Sequence, residues 1–343
     1  MVRKLPICVL FLALTFSTFC TSGGATPGPV PPTLFSHWQK LLTSSLTIAK
    51  VSPAVGNELT NSSTTRYWTS CFQGTDGAKN LNPCHFGDTA SRTKVVLLGD
   101  SFAGEWVPAL DQLGKSMHFE VIGFVRYGCP FFDLPVRENA TTPFDPGCLT
   151  YRKAATVAAN ALHPNLVVFS QNLYKYHANG SALEPGSTPY TESLTRSIAK
   201  IHAQAKVMFY GFIYAKSDPA VCLSRNLNAV QNCSTPTDMF FSTYWFSAFA
   251  KAATLGGAYP VGLTQLSCNI TACPSVVGGH IVHLDQGHFM ADFAKESAPA
   301  LGQLIGCAAT EFHRNSVLDL LLQTPPSFAA AWCASNESRL GHP

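Results

Sequence analysis

The chain has 343 residues, long enough for one large α/β domain or two small ones. At 46% hydrophobic and 13% charged residues it carries ample core material, and it lacks the bias of a disordered, collagen-like or coiled-coil chain. Net charge is +3, from 23 Lys and Arg against 20 Asp and Glu with no basic run, which argues against a nucleic-acid partner and against attachment to a membrane surface by charge.

In chain order, Arg3 and Lys4 precede an apolar run from Leu5 to Phe19 and then the small residues Thr21 to Ala25. That order is that of a secretory signal, residues 1–25, expected to be cleaved and to send the chain outside the cytoplasm. A membrane anchor needs about 20 apolar residues, and this run is shorter. Residues 26–69 read as a Pro-, Ser- and Thr-rich lead-in, extended over the domain surface. From Lys94 onward apolar runs alternate with helical stretches. Strands are predicted at 95–99, 119–125, 166–170, 206–212 and 258–263, and helices at 104–115, 149–162, 190–204, 240–254 and 290–305. Continuous apolar strands alternating with helices predict a single three-layer α/β/α domain with a parallel sheet. A last helix and tail are expected at 311–343.

Of the 12 cysteines, Cys8 and Cys20 lie in the leader, and the remaining ten make an even count that reads as disulfides in an exported chain. Spacing suggests the pairs Cys71–Cys84, Cys129–Cys148, Cys222–Cys233, Cys268–Cys273 and Cys307–Cys333. Asn61, Asn139, Asn179, Asn232, Asn269 and Asn336 begin Asn-x-Ser/Thr sequons, which carry glycans only in a eukaryotic source.

Strand 95–99 runs into Asp100-Ser101 and then a helix, placing Ser101 at the carboxyl end of a parallel strand, where such sheets bind ligands. The bland alternative is a helix cap. Late in the chain stands Asp285-Gln286-Gly287-His288, with Asp and His about one helical turn apart. Asp285 can hold one ring nitrogen of His288 while the other takes the Ser101 proton, which makes a nucleophile, base and orienter. A competing reading gathers His280, His283 and His288 round a metal. His283 with Asp285 is a poorer dyad.

Together these motifs resemble the SGNH (GDSL-like) hydrolase superfamily, and in particular the SGNH domains at the C-terminus of membrane sugar O-acyltransferases. The resemblance covers roughly 70–307 within an expected catalytic domain of 70–310, and includes Gly128-Cys129-Pro130 and the Cys268/Cys273 pair ahead of Asp285. It implies a flavodoxin-like doubly wound sheet, a Ser101–His288–Asp285 triad, and an oxyanion site from Ser101, Asn172 and Gly128, with Gly123 a lesser candidate. Two positions depart from the family pattern: Ser170-Gln171-Asn172 keeps only the Asn of the usual Gly-x-Asn-Asp block, and Phe102 stands where His is usual. The activity implied is movement of acetyl or another small acyl group on or off a carbohydrate oxygen, with no cofactor. If the reaction is transfer, a separate membrane protein would supply the acyl donor. A general or lipolytic esterase and a catalytically silent glycan-binding module are the alternatives. Tyr127, Phe131, Phe132, Tyr174 and Tyr176, after the second and third strands, are candidates for stacking on sugar rings or for ordinary packing.

Overall fold

A computed structural model describes residues 34–61, 81, 83–172, 176–237 and 243–308. The expected leader, the 311–343 tail, Cys71, Cys333 and Tyr174 lie outside them. A six-stranded sheet comprises β1 (Cys84–Gly87), β2 (Lys94–Gly99), β3 (Glu120–Val125), β4 (Leu166–Ser170), β5 (Ala205–Tyr210) and β6 (Tyr259–Gly262). Its order is β1-β3-β2-β4-β5-β6, with β1 antiparallel to β3 and every other pairing parallel. Without β1 this is the flavodoxin-like order, and β2 lies at the point where the winding reverses. All five expected strands form; the short edge strand β1 was not anticipated.

The helices are α1 (Leu34–Ser45), α2 (Pro53–Asn61), α3 (Ser101–Gly104), α4 (Val107–Met117), α5 (Pro146–Ala161), α6 (Thr188–Ala199), α7 (Pro219–Arg225), α8 (Thr243–Leu255), α9 (Thr264–Ser267), α10 (Ala291–Glu296) and α11 (Ala298–Ala308). Helices α1, α4, α10 and α11 pack together, and α6 packs on α8, giving the layers that flank the sheet. The expected helix 104–115 is broken at Glu105–Trp106, because Pro108 opens a new helix, α4. The extended lead-in is corrected as well: residues 34–61 contain two helices. Phe35, Trp38 and Leu42 of α1 are buried, the Phe35 N–H donates to Gln303 Oε1 at 2.7 Å, and Trp38 Nε1–H donates to the Leu266 carbonyl at 2.8 Å. Among the described residues no helix is long and apolar enough to cross a membrane.

Strands β3 and β4 are wholly buried, and β2 is buried from Val95 on. Each such Val, Leu, Ile or Phe contributes roughly 1.5–3 kcal/mol. The carboxyl ends of β2 and β4 approach so closely that a Cβ at Gly99 would lie 1.7 Å from the Ser170 carbonyl oxygen. Only glycine fits there, immediately before the Asp100-Ser101 pair. Three of the expected disulfides form, Cys129–Cys148, Cys222–Cys233 and Cys268–Cys273, and Cys84 is also disulfide-bonded.

Candidate active site

Ser101 is the first residue of α3, at the carboxyl end of β2. Its turn is set by Asp100, fully buried, whose Oδ1 accepts the Phe102 N–H at 2.9 Å as a helix cap. The same carboxylate accepts the Asn172 N–H (3.0 Å to Oδ2) and the Tyr176 hydroxyl (2.5 Å). One side chain thereby ties the end of β2 to the end of β4. Burial pushes the Asp100 carboxyl up, opposed by these three donors.

Asp285 and His288 meet in a turn rather than on a helix. Asp285 Oδ1 accepts the N–H groups of Gly287 (2.7 Å) and His288 (2.8 Å), and this Asx turn carries the imidazole back over the carboxylate. His288 Nδ1 lies 2.9 Å from Asp285 Oδ2, and Nε2 lies 2.9 Å from Ser101 Oγ. Burial would raise the Asp285 carboxyl, but the His288 ring and the two backbone donors outweigh it and hold the group well below the usual carboxylate range. An Asp285 carboxylate on Nδ1 favours the tautomer whose Nε2 faces Ser101 Oγ as an acceptor. Phe102, in the position of the usual His, is buried against the His288 ring at 4.8 Å and against Phe212 at 5.2 Å.

Ser101, Gly128 and Asn172 follow the carboxyl ends of β2, β3 and β4, which are neighbours in the middle of the sheet. Asn172 is buried, with its backbone held by Asp100 and Nδ2 donating to the Tyr214 hydroxyl at 2.9 Å. Gly128 is exposed in a turn just beyond β3, at φ +65°. Gly123 lies inside β3, paired with Leu97, and is removed from the candidates.

The metal reading does not hold together. His283 is buried and donates through Nε2 to the Ile213 carbonyl at 2.9 Å, with burial lowering its pKa to about 4. His280 pairs instead with Glu58 of α2 at 2.6 Å. Among the described residues, the ligating atoms that come within 4.8 Å of one another belong to Glu58, His280 and Asp292, not to the three histidines. Of the two readings of the aromatic candidates, packing holds for Phe131, Phe132 and Tyr176, which are buried, and of the described ones only Tyr127 is partly open. The Arg152 guanidinium draws this loop inward by donating to the carbonyls of Pro130, Phe132 and Leu134.

A serine at a parallel-strand end, with an imidazole on it and a carboxylate behind it, is the arrangement that nucleophilic acyl chemistry requires. The family described as "SGNH domain (fused to AT3 domains)" matches residues 70–303, and the chain belongs to that family. Among solved structures the chain is similar to the periplasmic domain of the Salmonella ser. Paratyphi A lipopolysaccharide acetyltransferase. That similarity has 13% identity and a TM-score of 0.47 over 80% of this chain and 96% of that one. No curated protein matches the chain.

Proposed function

We propose that the chain is an extracytoplasmic serine enzyme that moves O-acyl groups, acetyl foremost, on or off a carbohydrate. The observation that carries this reading is the pair of 2.9 Å contacts that link Ser101 Oγ to His288 Nε2 and His288 Nδ1 to Asp285. Ser101 Oγ attacks the ester carbonyl as His288 takes its proton. The oxyanion is held by the Ser101 N–H and the Asn172 amide, with Gly128 the third candidate donor. Collapse expels the alcohol, which takes the proton from His288, and leaves an acyl-Ser101. A sugar hydroxyl or water, deprotonated by His288, then releases the acyl group. The family's fusion to AT3 domains supports an acyl substrate, and the disulfides support an oxidising compartment. A membrane protein would supply the donor if the reaction is transfer.

The Asp285 side chain is 51% exposed, so water reaches the edge of the site, and hydrolysis is expected whenever no acceptor is bound. Transfer requires a glycan hydroxyl held at high effective molarity. The test is turnover of an aryl acetate with and without a panel of oligosaccharides. The expected result is slow hydrolysis alone, acetylated sugar when a suitable acceptor is present, and neither with Ser101→Ala. Near-normal turnover by folded Ser101→Ala would overturn the reading. Efficient deacetylation of acetylated glycans with no acylated sugar would leave an esterase.

A further inference from the structure

Glu105 is fully buried four residues after Ser101 and takes no part in the chemistry above. Its N–H donates to the Ser101 carbonyl at 3.1 Å, so the two side chains leave one turn of chain. Glu105 Oε2 accepts the N–H of Phe289, the residue after His288, at 3.1 Å. Oε1 is buried with no hydrogen-bond partner among the described residues. The nucleophile segment and the base segment are thus joined at adjacent points, Ser101 to His288 and Glu105 to Phe289. The base segment is also held by its Asx turn, by the Leu284 N–H on the His288 carbonyl (2.8 Å), by the Met290 N–H on the Val282 carbonyl (2.9 Å), by the Ala215 N–H on the Gln286 carbonyl (2.8 Å) and by the Phe289 ring against Trp106 (5.3 Å). A buried carboxyl with a half-used acceptor set is costly, which asks for a compensating role.

We propose that Glu105 is a positioning residue: it clasps the backbone beside His288 and so fixes the imidazole at proton-transfer distance from Ser101. The proposal rests on the acyl-transfer reading. Burial, reinforced by Asp100 and Asp285 and only partly opposed by the Phe289 N–H, holds the Glu105 carboxyl well above the usual carboxylate range. What the clasp supplies is an acceptor oxygen, and a glutamine amide offers the same oxygen without a charge.

Three folded variants test this: Glu105→Gln, Glu105→Met and Ser101→Ala. The readouts are kcat and KM on an aryl acetate and the rate of labelling by a fluorophosphonate. In labelling, Ser101 Oγ bonds to phosphorus, its proton goes to His288, and fluoride leaves. Glu105→Gln should stay within about threefold of wild type, while Glu105→Met should lose about 10- to 100-fold in kcat and labelling with KM nearly unchanged. If Glu105→Met does not fold, Glu105→Asp, which withdraws the oxygen by one methylene, is judged by the same criteria. Wild-type kcat in Glu105→Met, or equal losses in Glu105→Gln and Glu105→Met, would overturn the clasp. Persistent turnover and labelling of Ser101→Ala would instead overturn the acyl-transfer reading.

Discussion

Asn172 shows how one residue is placed by others far away in sequence. Its backbone is held by Asp100 and its amide by Tyr214, so both ends are fixed before any substrate arrives. A fixed donor is worth far more to a developing oxyanion than a mobile one. Asn172→Ala should lower kcat by about 10²- to 10³-fold with little change in KM. Steady-state kinetics on an aryl acetate would check it, and an unchanged kcat would remove Asn172 from the oxyanion site. Ser101, Asp285 and His288 were legible in the sequence because each stands in a short, chemically odd string beside a strand or turn. Glu105 and Tyr214 were not, because their contacts are with Phe289 and Asn172, which no local pattern connects to them. Tyr176 is a candidate for sugar stacking or for packing by sequence, and its hydroxyl is committed to Asp100.

At the scale of elements, the segment 283–289 is held by a buried neutral histidine. His283 donates to Ile213, pairs with Phe289 across a bridge, and has its pKa lowered to about 4 by burial. An unfolded histidine takes up its proton near pH 6.5. Between about pH 6.5 and about 4 the unfolded chain binds the extra proton, so His283 costs stability progressively as pH falls through that window. His283→Gln, which keeps a donor but does not titrate, should lose less Tm than wild type between pH 7.5 and pH 5, as thermal unfolding would show. Equal losses would contradict the buried neutral ring. The element pattern was legible wherever strands were long and apolar. Helix α1 also carried a signal, with Leu34, Trp38, Leu41 and Leu42 at helical spacing, but the surrounding Ser and Thr masked it. Helix α2 contains Gly56 and Asn57 and β1 has four residues, so neither shows a clear period.

For the whole molecule, alternation of strands and helices implied a parallel sheet, but strand order is set by the handedness of each crossover. The order matters because it brings the ends of β3, β2 and β4 together, and with them Gly128, Ser101 and Asn172. Close cysteine spacing made the three local disulfides readable, since short loops leave few other partners. A serine route requires that Ser101 itself carry the acyl group between the two half-reactions. Its most direct test is intact-mass analysis of the protein quenched in acid during turnover of an aryl acetate, followed by peptide mapping. One added acetyl group is expected on the peptide containing Ser101, absent in Ser101→Ala and discharged faster when an acceptor glycan is present. Turnover with no acetyl on Ser101, or with the acetyl on another residue, would contradict it.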